Sequence, residues 1–175
     1  ILGMQGAIAE HQEILLQIPH TKTRIVKTAK DLDCIDGLIL PGGESTAIGK
    51  LLDYFSLKEI LRQKIISGLP VFGTCAGLIL LAKNIENQTN THLATMDITV
   101  KRNGYGSQLD SFSTNLLIPT IDKNMPIPLV FIRAPYITKT DKDVQILATL
   151  DNKIIAARQK NMLVTAFHPE LTNDL

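Results

Sequence analysis

Pro70-Val71-Phe72-Gly73-Thr74-Cys75-Ala76-Gly77-Leu78-Ile79-Leu80-Leu81 is the stretch on which the reading of this chain turns. Pro70 to Gly73 is a short apolar run of the kind that forms a buried strand, and Ala76 to Lys83 reads as a helix that follows at once. Between them stands Gly73-Thr74-Cys75-Ala76-Gly77, a G-x-C-x-G pattern. A sharp strand-to-helix turn strains its central residue and crowds the positions two before and two after, so those positions must be small. The pattern is the thiol counterpart of the G-x-S-x-G nucleophile elbow. Such a turn lifts Cys75 to the carboxyl end of a sheet, where open α/β folds bind ligands. It also aims a helix N-terminus at the sulfur, which favours thiolate over thiol.

Outward from this elbow the first half of the chain alternates apolar runs with amphipathic stretches. Gly37-Leu38-Ile39-Leu40 is a second continuous strand, stopped by Pro41-Gly42-Gly43. Helices are expected over 7–17, 46–54 and 57–67, and a short strand over 24–27. Ile1-Leu2-Gly3 reads as the end of a further strand. Continuous apolar strands separated by helices predict a mostly parallel sheet covered on both faces. Later segments differ. Residues 96–101 alternate apolar and polar, and 129–132, 144–150, 153–158 and 162–167 are strand candidates with short connections. Asp151-Asn152 reads as a hairpin turn. Antiparallel members are therefore expected late in the sheet, and 84–95 is expected to be a surface loop.

Composition narrows the function classes. The chain has 175 residues, 45% apolar and 20% charged, with a net charge of +1. That apolar content excludes a disordered chain, and the length matches one domain, residues 1–175. The near-zero charge and the lack of a Lys/Arg run argue against nucleic-acid binding. The longest apolar run, Cys75 to Ala82, falls far short of the ~20 residues of a membrane span. No secretory signal is visible, and two cysteines do not make a disulfide scaffold. A cytoplasmic enzyme is expected. Cys34, in Asp33-Cys34-Ile35-Asp36, lacks the glycine setting and reads as structural.

A thiol nucleophile needs a base and a group that orients the base. His20 and His92 lie in polar stretches and read as loop residues, and His11 stands beside Glu10 on the first helix. His168, in Phe167-His168-Pro169-Glu170, follows an apolar strand. Pro169 biases His168 toward extended backbone, where residues i and i+2 face the same way. Glu170 can then hold one ring nitrogen while the other faces the sulfur, the logic of a Cys-His-acid triad. Pro41-Gly42-Gly43-Glu44-Ser45 can turn backbone amides toward a ligand. The N–H groups of Gly43 and Ala76 are the pair expected to stabilise an oxyanion. A dinucleotide fingerprint, a Walker loop and metal-ligand spacing are all absent, so no cofactor and no metal are expected.

Taken together, these residues resemble the class I, triad-type glutamine amidotransferases, and within them the PdxT/SNO family of glutaminase subunits. The resemblance rests on Leu2-Gly-Met-Gln-Gly-Ala7 with Glu10-His11, P-G-G-E-S-T (41–46), G-T-C-A-G (73–77), R-N-G-Y-G-S-Q (102–108) with Asp110-Ser111-Phe112, F-I-R-A-P (131–135) and F-H-P-E-L (167–171). It runs over essentially the whole chain. It implies a flavodoxin-like three-layer α/β sandwich, with the chain starting inside the first strand and stopping before a terminal helix. It implies hydrolysis of L-glutamine by Cys75 as nucleophile, His168 as base then acid, and Glu170 as the orienting carboxylate. Gly43, Glu44, Ser45, Arg102, Ile132 and Arg133 would contact glutamine, and either arginine suits its α-carboxylate.

The implied partner is a PdxS/SNZ-type (β/α)8 synthase that uses the ammonia to make pyridoxal 5'-phosphate. Low activity alone and activation on docking are expected, through ordering of the Gly42-Gly43 peptide. The Gln5-Gly6 loop and the first helix, with Glu10 and His11, are the expected docking side. A cysteine hydrolase of the related flavodoxin-like type, such as a peptidase or γ-glutamyl hydrolase, and a catalytically silent binding module are the rival classes. Ammonia release from glutamine separates the first, and labelling of Cys75 by a thiol-reactive glutamine analogue separates the second.

Overall fold

The computed structural model describes residues 1–105 and 111–172. Its secondary elements run α1 (Ile8–Leu15), β1 (Leu38–Leu40), α2 (Ser45–Tyr54), α3 (Lys58–Ile66), β2 (Val71–Thr74), α4 (Ala76–Leu81), β3 (Ala82–Ile85), β4 (Met96–Lys101), β5 (Ser111–Leu116), β6 (Ile127–Ile132), β7 (Tyr136–Thr140), β8 (Gln145–Leu150), β9 (Lys153–Gln159) and β10 (Met162–Thr165). One sheet carries the order β1-β2-β10-β9-β7-β4-β3, with β8 joined to β9, and β5 and β6 form a separate hairpin. The parallel pairs β1·β2 and β2·β10 build the first half of this sheet. The antiparallel pairs β10·β9, β9·β7 and β7·β4 build the second, which ends on the parallel pair β4·β3. The α/β fold with late antiparallel strands is the one the sequence predicts, in a sheet that is mixed where a mostly parallel one was expected.

Apolar alternation explains the layers. Leu38, Leu40, Val71, Met162 and Val164 are buried, while Ile39, Phe72 and Leu163 between them are only half-buried. Side chains alternate across a strand, and Ile39, Phe72 and Leu163 stand side by side in register. The first set packs beneath α4, whose Gly77 lies against the Leu40 carbonyl. The second set floors a concavity of about 1800 Å³, rimmed by Lys22, Arg24, Arg158 and Lys160. That groove is remote from the chemistry, since neither Cys75 nor His168 lines it. Ile1-Leu2-Gly3 is bonded on one side to Val26 and on the other to Ile39, extending the sheet beyond β1.

Several boundaries differ from the expectation. The strand expected over 24–27 shrinks to a single bridge at Val26. The helix expected over 76–83 ends at Leu81, and Ala82 starts β3 with no loop between. The segment 84–95 is not simply a surface loop, because Ile85 and Leu93 are buried. β5 and β7 were not anticipated. Asp151 and Asn152 both take positive φ, as a tight hairpin between β8 and β9 requires.

Candidate active site

Cys75 caps α4 with φ 48° and ψ −96°, a backbone state that costs about 1–3 kcal/mol and persists only where its surroundings enforce it. Those surroundings are visible. A Cβ on Gly73 would lie 2.7 Å from the Gly77 carbonyl carbon, and one on Gly77 would fall onto the Leu40 carbonyl oxygen. Both glycines are therefore demanded by close backbone packing. The Cys75 N–H donates to the Thr165 carbonyl at 2.8 Å, tying the elbow to β10. The side chain is nearly closed off, at 7% exposure.

β10 leads directly to the imidazole. The His168 N–H donates to the Val130 carbonyl at 2.8 Å, so β6 fixes this backbone. His168 Nδ1 lies 2.7 Å from Glu170 Oε1, which leaves Nε2 for the sulfur. The two side chains do not meet through extended backbone, as the sequence reading had it. Pro169–Leu171 is a 3-10 turn that folds Glu170 back beneath the ring. Both residues are buried, His168 at 7% and Glu170 at 6%. Burial would lower the His168 pKa, but its hydrogen bonds to Cys75 and Glu170 overcome this and raise it to about 10. The ring is then an imidazolium at neutral pH, placed between a sulfur and a carboxylate.

Gly42 packs against the same ring, with its Cα so close that a Cβ would overlap His168 Cε1. Its carbonyl accepts from the Ala7 N–H at 3.0 Å, and the Glu44 N–H donates to Gln5 Oε1 at 2.8 Å. The Gln5-Gly6 loop therefore grips the Gly42-Gly43-Glu44 backbone. A trans peptide sets its C=O and N–H on opposite sides, so the Gly43 N–H points away from the start of α1. Ala76 begins α4, where a first-turn N–H has no carbonyl partner within the helix. Each of these amides is thus available to a ligand anion at the carboxyl end of the sheet.

The residues expected to contact substrate form a looser group. The Glu44 carboxylate caps α2 by accepting from the Thr46 and Ala47 N–H groups, and pairs with Arg102 at 2.8 Å. Partial burial would raise its pKa, but the Ala47 and Thr46 donors and Arg102 hold it below the usual carboxylate range. Arg102 also donates to Thr46 Oγ1. Ser45 is buried with its hydroxyl unpartnered. Ile132 and Arg133 end β6 in exposed positions, Arg133 with φ 45°. The structure thus gathers Glu44 and Arg102 into one cluster, with no bond from Arg133 to it. Gly106, Ser107, Gln108 and Asp110 of the sequence motif lie outside the described residues.

Sequence reasoning missed one member. His11, expected on a docking surface, is 2% exposed and turned inward. Its Nε2 lies 3.1 Å from Thr74 Oγ1 and 3.5 Å from Glu170 Oε2. The available signal was its place on the apolar face of α1, at i+3 from Ile8 and i−4 from Leu15. His92 is half-buried, with its ring packed over Gly49 and Nε2 enclosed. Cys34 is exposed and contributes nothing to the core. Among the described residues no group of three or more His, Cys, Asp or Glu is placed to hold a metal, and no helix is long and apolar enough to cross a membrane.

Comparison with known proteins agrees with this geometry. The family model of the SNO glutamine amidotransferases matches residues 1–175. The pyridoxal 5'-phosphate synthase subunit PdxT of Ruminiclostridium cellulolyticum is 53% identical over 175 residues, spanning 100% of this chain and 92% of that protein. Its counterpart from Carboxydothermus hydrogenoformans is 55% identical, over 100% of this chain and 91% of that one. A crystal structure of a glutamine amidotransferase superposes with a TM-score of 0.91 at 36% identity, covering 99% of this chain and 90% of its own. The chain belongs to the SNO glutamine amidotransferase family.

Proposed function

We propose that this member of the SNO glutamine amidotransferase family hydrolyses L-glutamine at Cys75 and hands the ammonia to a pyridoxal 5'-phosphate synthase partner in the cytoplasm. The observation that carries the reading is the strained elbow cysteine in a site whose imidazole is 2.7 Å from a buried carboxylate and is held charged by that carboxylate and by Cys75. The sulfur attacks as a thiolate, its charge balanced by the His168 imidazolium. The side-chain amide carbon becomes tetrahedral, and its oxygen takes the negative charge. The Gly43 and Ala76 N–H groups are assigned to that oxyanion. The C–N bond then breaks as His168 gives its proton to the departing nitrogen, so ammonia leaves and a γ-glutamyl thioester remains. Water adds to the thioester while His168 takes its proton, and the C–S bond breaks to release glutamate and the thiolate. Glu170 keeps the ring oriented throughout.

Arg102 and Arg133 are the partners assigned to the α-carboxylate of glutamine, with Glu44, Ser45 and Ile132 completing the contacts. Ammonia released into water would be protonated and lost, which favours delivery to a synthase bound alongside. The exposed Gln5-Gly6 loop holds the Gly42-Gly43-Glu44 backbone through the Ala7 and Gln5 bonds. A partner resting on that loop would set the oxyanion peptide and raise turnover. The test is ammonia release from glutamine with and without the pyridoxal 5'-phosphate synthase subunit, beside Cys75→Ala. Activity that survives in Cys75→Ala removes the nucleophile assignment. Equal turnover with and without the synthase removes the coupling.

A further inference from the structure

The triad accounts for only one oxygen of Glu170. Oε1 is bonded to His168 Nδ1, while Oε2 is fully enclosed and has no hydrogen bond within ordinary geometry. The polar group beside it is His11 Nε2, at 3.5 Å. The same nitrogen lies 3.1 Å from the hydroxyl of Thr74, the residue that precedes the nucleophile. His11 is the only buried residue of α1, and its polar tip sits where an apolar core residue would normally be.

We infer that His11 is a positioning residue of the triad: its Nε2, held between Thr74 Oγ1 and Glu170 Oε2, keeps the carboxylate turned so that Oε1 stays on His168. The inference rests on the hydrolytic role proposed for Cys75, His168 and Glu170. A carboxylate on a two-bond stem can rotate about its terminal torsion, a soft motion for an sp³–sp² bond. One bond to His168 does not stop that rotation, whereas a second polar group on the opposite oxygen does. An imidazole suits the task because it can stay uncharged there. Burial lowers the His11 pKa first; Glu170 pulls it up, and the neighbouring His168 pushes it down again. The outcome is a lowered value, so at neutral pH His11 is a neutral ring. Two imidazolium rings would compete for one carboxylate. One charged ring and one neutral ring divide its two oxygens between them.

The position of α1 adds a reason for the residue to sit there. The chain entering this helix carries Gln5 and Ala7, which hold the Gly42-Gly43-Glu44 backbone. Through His11 the same helix touches the triad acid and the strand behind the nucleophile. One element thereby registers the oxyanion segment against the base.

The experiment compares three chains in the glutaminase assay with the synthase subunit present: wild type, His11→Gln and His11→Asn, with Cys75→Ala as the blank. Gln carries an N–H₂ at the reach of Nε2, while Asn carries one too short to arrive. Both are polar amides, so burial strain is similar in the two. We expect His11→Gln to keep at least half of kcat, and His11→Asn to lose about tenfold in kcat with KM changed less than twofold. The downfield Nδ1 proton of His168, read by NMR, should persist in the Gln variant and exchange with water at least tenfold faster in the Asn variant. Equal loss in both variants, full kcat in His11→Asn, or a loss confined to KM would overturn the inference while leaving the triad intact. Full turnover by Cys75→Ala would overturn the triad reading and this inference with it.

Discussion

The two sides of the site are built by different means. On the proposed catalytic side, Cys75, His168 and Glu170 are buried, and close packing at Gly42, Gly73 and Gly77 confines them. On the proposed substrate side, Glu44, Ile132 and Arg133 are exposed and Arg102 is half-buried, and an ion pair joins Arg102 to Glu44 without reaching Arg133. The lesson is a division of tasks. Bond-making groups must be held within a fraction of an ångström before the substrate arrives. Recognition of a small charged amino acid can be left to side chains that adjust.

Substitutions can break or sharpen that contrast. The largest effect is expected on the buried side: Cys75→Ala should lower kcat by about 10⁴-fold or more, because the nucleophile has no substitute. Glu170→Gln should cost about 10²-fold in kcat, as orientation and charge are lost together, with KM nearly unchanged in steady-state assays. Gly77→Ala should destabilise the fold by about 3 kcal/mol, since its methyl meets the Leu40 carbonyl. Thermal denaturation would read this as a drop of roughly 6–12 °C for a chain of this size.

On the exposed side the effects should be smaller and of another kind. Arg102→Ala should raise KM about tenfold with little change in kcat. It should shift stability by less than about 1 kcal/mol, because its bond to Glu44 is partly solvated. A small KM effect paired with a large kcat loss would end the proposed division. The pH response belongs to the buried side. His168 is raised to about 10, so the stability it contributes is complete below the free-imidazole value of ~6.5. It is lost as pH climbs through about 10. The melting temperature should therefore fall across that window, and fall less in Cys75→Ala, where the sulfur no longer supports the charged ring.

The sequence revealed the buried side better than the exposed one, for a physical reason. Gly73 and Gly77 are required by contacts within a few residues of Cys75 or against the adjacent strand, so the constraint leaves a local pattern. His168 and Glu170 were legible as a pair, although a 3-10 turn and not extended backbone brings them together. His11 was not recognised, because its partners Thr74 and Glu170 lie 63 and 159 positions away and no spacing encodes them. The fold shows the same split. β3, with burial only at its ends, Ala82 and Ile85, continues the apolar helix before it and gives no alternation to read. β5 is S-F-S-T-N-L, alternately exposed and half-buried and, among the described residues, paired with β6 alone, so burial left little mark on it.

β10 lies between β2 and β9, inside the sheet, although it is the last strand among the described residues. On the ribosome, a nascent chain that has exposed its cysteine still lacks the centre of its own sheet, and β2 is left with an unfilled edge. The thiol must wait for β10 and the residues that follow it before it acquires its proposed base. Translation that halts before Met162 would yield an inert, sticky fragment, not a weakly active enzyme.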